Sequence, residues 1–261
     1  MDLGLKGKSV IVTAASKGLG KACALTYAQE GAHVLIASRD EKQLVQAVTD
    51  IKQASGNDHI HHVVCDVRKE KDIQNMVEKA VEKNGKVDVL VNNTGGPPAG
   101  SFSDFADSDW QNAFELLLLN VIRTVRGVMP VMKEQQFGRI VNITSSSMKQ
   151  ALDNLLLSNT FRPAIVGLSK SLAQELAPSN ILINSVGPGT IQTDRILELF
   201  EKRADTKSVE EQVKEAGSHI PIGRIGTPEE FAKAIVFFGS PANTYITGQT
   251  LIVDGGSVKA L

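Results

Sequence analysis

Two cysteines, Cys23 and Cys65, are the only thiols in this chain of 261 residues. They lie far apart in sequence, each among apolar neighbours, and make neither a disulfide framework nor a zinc cluster. A surplus of one charge is also missing: 28 Lys and Arg face 29 Asp and Glu, for a formal net charge of −1. That balance excludes a chain whose main task is to wrap nucleic acid or grip an anionic membrane. The densest apolar run, Leu116 to Leu119, stops at Asn120 and is far too short to cross a bilayer. The start, Met1-Asp2-Leu3-Gly4-Leu5-Lys6, has no basic stretch followed by an apolar one, so no signal peptide is expected and the expected location is cytoplasmic. No Pro/Ser-rich linker or solenoid period divides the chain, so residues 1–261 are expected to form a single domain. His59, His61 and His62 cluster without carboxylates at ligand spacing, so no metal site is expected.

What is present is an alternation. Short β-branched runs occur at Ser9–Thr13, His33–Ala37, His61–Cys65, Val87–Asn92, Arg139–Ile143, Ile181–Val186 and Thr250–Val253. Most are continuously apolar, as strands covered on both faces must be. Amphipathic stretches separate them: Leu19–Gln29, Glu41–Ala54, Lys71–Lys83, Asp109–Lys133, Val166–Ala177 and Pro228–Phe238. Thr227-Pro228-Glu229-Glu230 reads as a cap, a first-turn proline and two dipole-matched acids. Strand alternating with helix predicts parallel strands joined by right-handed crossovers, hence an α/β doubly wound sheet in three αβα layers. The least regular segment, about 190–226, follows the sixth strand and is expected to form a flap over the ligand crevice. Its apolar members Ile191, Ile196, Leu197, Leu199 and Phe200 hint at an apolar ligand.

Thr13-Ala14-Ala15-Ser16-Lys17-Gly18-Leu19-Gly20 follows the first strand and runs straight into a helix. Small residues there let backbone approach a pyrophosphate, whose charge the helix N-terminus favours. The second strand ends in Ser38-Arg39, where an acid would hold a ribose 2′-hydroxyl. Arg39, with Lys17, is instead suited to a 2′-phosphate, so NADP(H) is expected in preference to NAD(H).

These motifs carry a resemblance to the short-chain dehydrogenase/reductases over essentially the whole chain. Thr13 to Gly20 resembles the family's TGxxxGxG loop, Asp66-Val67 its adenine-contacting Asp, and Asn92-Asn93-Thr94-Gly95 its NNAG segment. Pro188-Gly189-Thr190 with Thr193 resembles the loop near the nicotinamide carboxamide, and Val253-Asp254-Gly255-Gly256 the closing VDGG. The resemblance implies a Rossmann-type fold of about seven strands, and the pattern is nearest to bacterial reductases of 3-oxoacyl carrier-protein type. Ala14 departs from it, standing where the family has its first glycine. Because Ala resists positive φ, weaker or slightly displaced cofactor binding is expected.

The family's Asn–Ser–Tyr–Lys constellation can be placed by counting. Gly138-Arg139-Ile140-Val141-Asn142-Ile143-Thr144-Ser145 puts Ser145 on the family's Ser. Reading back from Gly167-Leu168-Ser169-Lys170-Ser171-Leu172 puts Ser158 on the Tyr and Arg162 on the Lys, an SxxxR for a YxxxK. Leu117 falls on the Asn, with Asn120 one turn later. A phenol of pKa ~10 can be tuned toward neutral, whereas a serine hydroxyl cannot inherit that role. Arg162 stays protonated, so it can bind ribose or substrate oxygen but cannot readily pass a proton. Tyr27 and Tyr245 are both expected far from the crevice. Asp153, Asp194 and His219 are the candidates for a replacement acid. Pro163 is expected to start the helix late or kink it.

The leading expectation is therefore an NADP(H)-dependent oxidoreductase acting on a carbonyl or alcohol, with Ser145 and Ser158 on the substrate oxygen and Arg162 opposing its developing charge. Two others are weighed beside it: a dinucleotide-binding sensor or assembly subunit without turnover, and a dehalogenase-like lyase. The expected partners are a small-molecule substrate and, by resemblance, copies of the chain in a homotetramer or homodimer, with neither nucleic acid nor membrane.

Overall fold

Val10, Ile11 and Val12 project alternately to the two faces of an extended chain, and each face has apolar cover. The computed structural model describes residues 1–201 and 207–260. In it Val10 and Val12 join one buried cluster and Ile11 another. Strand β1 (Ser9–Thr13) is consequently buried along its whole length. It sits inside a sheet completed by β2 (His33–Ser38), β3 (Ile60–Val64), β4 (Val89–Asn92), β5 (Gly138–Ile143), β6 (Ile181–Pro188) and β7 (Thr250–Val253). The seven strands run in the order β3-β2-β1-β4-β5-β6-β7, every neighbouring pair parallel. This is the Rossmann-type α/β sheet expected from the alternation, each strand lying within two residues of its expected span. The winding reverses between β1 and β4, and there the carboxyl ends of the strands part to leave a crevice.

Helices α1 (Gly18–Gln29), α2 (Glu41–Ser55) and α9 (Pro228–Phe238) cover one face of the sheet. Helices α3 (Glu70–Asn84), α5 (Asn120–Glu134) and α6 (Leu156–Leu176) cover the other. Between α3 and α5 runs the shorter α4 (Asp107–Phe114), and α7 (Asp194–Glu201) and α8 (Val209–Ser218) follow β6. The capping signals hold: the Thr227 hydroxyl accepts from Glu230 N at 3.3 Å and the Glu230 carboxylate accepts from Thr227 N at 2.9 Å.

Two expected helices differ from what is found. The stretch read as one helix over Asp109–Lys133 is helical throughout, but a π turn at Glu115–Leu119 inserts an extra residue between α4 and α5. Helix α6 starts not near Val166 but at Leu156, seven residues ahead of Pro163. Proline removes a single backbone donor here, and other bonds secure the entry. Asn159 Oδ1 accepts from Leu152 N at 3.1 Å while its Nδ2 donates to Leu152 O at 2.8 Å.

The flap expected at 190–226 is tied at its base, where Gln192 N donates to Gly226 O at 2.8 Å and Gly226 N to Thr190 O at 3.1 Å. Within it Phe200 is buried, and Gln212 Nε2 donates to its carbonyl at 3.1 Å. Residues 202–206 of that segment and the side chain of Leu199 lie outside the described residues. Among the described residues no helix is long and apolar enough to cross a membrane.

Candidate active site

The loop between β1 and α1 is shaped by its smallest residues. Gly18 has φ +58, and Gly20 has no room for a side chain: a Cβ there would lie 2.5 Å from Ala14 O and 2.8 Å from Asn93 Nδ2. Thr13 is buried, its hydroxyl donating to Asn93 O at 2.8 Å and accepting from Asn93 N at 2.8 Å. Asn93 Nδ2 donates in turn to Ala14 O, at 3.2 Å. Ala15 N donates to Ala37 O at 3.2 Å. The ends of β1, β2 and β4 are thereby stitched into one floor. Lys17 stands at the N-cap of α1 without a side-chain cap bond, and Leu19 packs down onto the core. A bare-backbone floor at a helix N-terminus is a geometry that takes a pyrophosphate. The residues present therefore fit a dinucleotide.

Ala14 itself has φ +46, in the left-handed region its sequence position foretold. An L-residue there carries a strain of roughly 1–2 kcal/mol. Ala14→Gly is accordingly expected to stabilise the chain by about 1 kcal/mol after glycine's greater unfolded freedom is deducted. That corresponds to a rise of ~2–4 °C in Tm. Calorimetry of the two proteins checks this, and an unchanged or lower Tm would mean that the alanine methyl contributes more by packing than it costs in strain.

At the β2 end, Ser16 Oγ and Ser38 Oγ are 3.1 Å apart and Arg39 is exposed. Lys17 Nζ lies 3.7 Å from Glu198 Oε1 on α7, an exposed pair of small energetic weight. Asp66, with Val67 beside it against the core, follows β3. A residue overlooked in the sequence dominates here: Arg68 grips the Asp66 carboxylate, Nε to Oδ1 at 3.0 Å and Nη2 to Oδ2 at 2.6 Å. These bonds, with Arg39 adding its charge, hold the Asp66 carboxyl below the usual carboxylate range.

Beyond β4, the Thr94 hydroxyl donates to Gly95 O at 2.8 Å in an exposed loop. At the end of β6, Gly189 N donates to Val253 O at 2.9 Å, and a Cβ on Gly189 would meet Asp254 Cβ at 2.5 Å. Pro188-Gly189 and the Val253–Gly256 segment are therefore neighbours. Thr190 carries the flap's base bond, and Thr193 Cγ2 comes within 3.8 Å of where a Gly18 Cβ would be. The two ends of the expected cofactor site thus converge over the first loop.

Ser145 caps a short 3₁₀ turn at the end of β5, its Oγ accepting from Ser147 N at 3.1 Å. Ser147, which sequence reasoning passed over, is buried, and its Oγ lies 2.9 Å from Ser158 Oγ. One backbone N–H and one hydroxyl of Ser147 therefore join the two serines that counting had selected. Ser158 and Arg162 stand one turn apart on the same face of α6, each only 6% exposed. Arg162 Nη1 donates to Ile143 O at 2.9 Å, at the carboxyl end of β5. A run of three serines gives no sequence signal for which hydroxyl turns inward, and only the 3₁₀ turn decides it. Leu117 lies fully buried within the π turn, where the side-chain amide of Asn120 bonds back to Leu116 O.

Neither tyrosine approaches this place. Tyr27 is 0% exposed between α1 and α9, its hydroxyl donating to Ile235 O at 3.2 Å, and burial pushes its pKa up. Tyr245, 97% exposed, precedes β7 and so lies at the opposite end of the sheet. Asp153, Asp194 and His219 are all exposed, at a turn, a helix start and a helix end.

Comparison with known proteins agrees with this fold. The family model described as Enoyl-(Acyl carrier protein) reductase matches residues 13–258. A 3-oxoacyl-[acyl-carrier-protein] reductase from Thermotoga maritima is 36% identical over 97% of this chain and 99% of its own. Among solved structures, L-sorbose reductase from Gluconobacter frateurii, complexed with NADPH and L-sorbose, is similar with a TM-score of 0.95 and 32% identity, all of both chains being covered. An NADPH-bound short chain oxidoreductase from Pseudomonas aeruginosa PAO1, described as containing an atypical catalytic center, gives a TM-score of 0.91 at 27% identity, over 98% of this chain and 99% of that one.

Proposed function

The chain belongs to the short-chain dehydrogenase/reductase family of oxidoreductases, and from that membership we propose that it is an NADP(H)-dependent reductase of small carbonyl compounds working through a Ser–Ser–Arg site. The observation that carries the cofactor half is the first loop. A glycine floor without room for a Cβ opens on a helix N-terminus, and the neighbouring strand end offers Ser38 and Arg39 where a ribose-binding acid would stand. Relatives crystallised with NADPH support the same choice. Thr13 to Gly20 would hold the pyrophosphate, Arg39 with Lys17 and Ser38 the 2′-phosphate, Asp66 and Val67 the adenine. Asn93, Thr94, Gly95 and Arg162 would face the nicotinamide ribose, and Pro188, Gly189, Thr190 and Thr193 the carboxamide.

When bound, a nicotinamide dinucleotide supplies or accepts the hydride. The protein's part is to position and polarise the substrate oxygen. Ser145 Oγ already accepts from Ser147 N, so its hydrogen remains available to that oxygen. When Ser147 donates to Ser158, the Ser158 hydrogen is likewise turned outward. In this reading both hydroxyls would donate to one substrate oxygen, with the Arg162 guanidinium opposing its developing charge. Fixed donors aimed at developing negative charge are the largest single lever in such reactions. Water entering from the crevice would give the alkoxide its proton and leave as hydroxide, because serine and arginine do not release protons near neutrality. The absence of a tuned phenol implies slower turnover than in relatives that have one.

Titration with NADPH and NADH by protein fluorescence tests the cofactor half. NADPH is expected to bind at least about tenfold tighter, and Arg39→Ala to lose most of that preference by removing the guanidinium–phosphate fork. Binding of neither coenzyme, or of NADH preferentially, overturns the reading. Turnover is then sought on 3-oxoacyl thioesters and on ketoses such as L-sorbose. The burial of Ser158, 6% exposed and bonded to Ser147, keeps a second reading alive, that of a dinucleotide-binding subunit. NADPH binding with no turnover across that panel would select it. Quaternary structure belongs to the same proposal: Trp110 and Phe114 of α4 sit against Phe161 of α6, and β7 leaves Leu251 exposed at the sheet edge, faces suited to a homotetramer.

A further inference from the structure

The coenzyme end of the crevice carries one acid and two arginines whose arrangement goes beyond the motif. Strands β2 and β3 pair so that Ser38 lies opposite Val64, and Cys65 N donates to Ser38 O at 2.8 Å. Arg39, one residue beyond Ser38, and Asp66, two beyond Val64, therefore leave neighbouring strand ends, near enough for the Arg39 charge to act on the Asp66 carboxyl. Left to itself, a carboxylate at Asp66 would pair with Arg39 and repel an incoming phosphate. Arg68 prevents both. Its Nε and its backbone N donate to Asp66 Oδ1 at 3.0 and 3.1 Å, and its Nη2 donates to Oδ2 at 2.6 Å. The assembly is held from behind: Asp66 N donates to Asp72 Oδ2 at 2.9 Å, and Arg123 of α5 donates to the Arg68 carbonyl.

A carboxylate offers about four lone-pair positions, and three are taken. What remains is one acceptor on Oδ2 of a pair whose net charge is zero. That suits one neutral N–H donor, such as the exocyclic amine of adenine, and leaves the Arg39 guanidinium with no carboxylate bonded to it among the described residues. Building on the NADP(H) reading above, we infer that Arg68 is a specificity-determining residue for the 2′-phosphorylated coenzyme. It acts as a positioning residue, holding Asp66 away from Arg39 and cancelling its charge.

Wild type, Arg68→Ala, Asp66→Asn and the Asp66→Asn/Arg68→Ala double variant are titrated with NADPH and NADH, and with 2′,5′-ADP and 5′-AMP as probes of the adenosine half. Melting curves confirm that each variant is folded. Arg68→Ala is expected to weaken NADPH and 2′,5′-ADP about tenfold, with NADH and 5′-AMP changed less than about threefold. In the double variant no bare carboxylate remains, so its NADPH affinity should return to within about threefold of Asp66→Asn alone. Equal weakening of all four ligands by Arg68→Ala, or a double variant no better than Arg68→Ala, overturns the inference while the NADP(H) reading stands. A wild-type protein with no preference for NADPH overturns both.

Discussion

Gly20→Ala is expected to raise the Kd for NADPH at least about a hundredfold, a loss near 3 kcal/mol of binding free energy. The Cβ would sit 2.5 Å from Ala14 O, 2.8 Å from Asn93 Nδ2 and 2.9 Å from Ala15 Cα. None of these can step aside cheaply. Two belong to backbone fixed by β1, and the third is the amide whose bond to Ala14 O ties β4 to the loop. Relief requires the loop to rise from its floor, into the space where the pyrophosphate would lie. Overpacking of this kind also costs ~1–3 kcal/mol of fold stability, so a fall in Tm accompanies the loss of binding. Gly18→Ala is the matched control. Its φ of +58 imposes strain, yet the nearest atom to a Cβ is 3.8 Å away, so its effect on Kd should be at least about tenfold smaller. Equal effects of the two substitutions, or a Gly20→Ala protein that binds NADPH like the wild type, would contradict this account of the cradle.

The sheet was legible because its strands are buried on both faces and so read as unbroken apolar runs, as at Val10-Ile11-Val12. Caps were legible for a local reason: Thr227-Pro228-Glu229-Glu230 bonds within itself. The start of α6 was not, because Pro163 argues locally against a helix while Asn159 reaches back seven residues to Leu152. The π turn at Glu115–Leu119 was hidden for a similar reason, since an inserted residue leaves no mark in an apolar run such as Leu116–Leu119. In the proposed site, counting from landmarks selects Ser145, Ser158 and Arg162 by position. Ser147 and Arg68 escaped because their importance lies in direction. Ser147 matters through the 3₁₀ turn that aims its hydroxyl at Ser158, and Arg68 through a bidentate hold on a residue two places away.

The other large effect concerns catalysis, measured on the best substrate of the carbonyl panel. Ser158→Ala is expected to lower kcat about a hundredfold with KM little changed, because the hydroxyl contributes most where charge develops on the substrate oxygen. Arg162→Met should cost ~10²–10³ in kcat, and Arg162→Lys about tenfold or more, since an ammonium lacks the planar fork whose Nη1 donates to Ile143 O and leaves further donors for the ligand. Ser147→Ala removes only the bond that orients Ser158, for which about tenfold is expected. Adding Ser147→Ala to Ser158→Ala should then change kcat no further, because the two hydroxyls act as one unit. Tm is followed in parallel, since either serine variant leaves a buried hydroxyl unpaired at a cost of ~1–3 kcal/mol. The pH profile supplies a readout that a packing defect cannot mimic. Serine and arginine side chains do not titrate between about pH 6 and 9, so kcat for reduction should be flat across that window. A step in kcat with an apparent pKa inside it would require a titrating acid at the substrate oxygen, with His219 the first to replace. Additive losses in the double serine variant would mean that Ser147 acts on the substrate directly and not through Ser158.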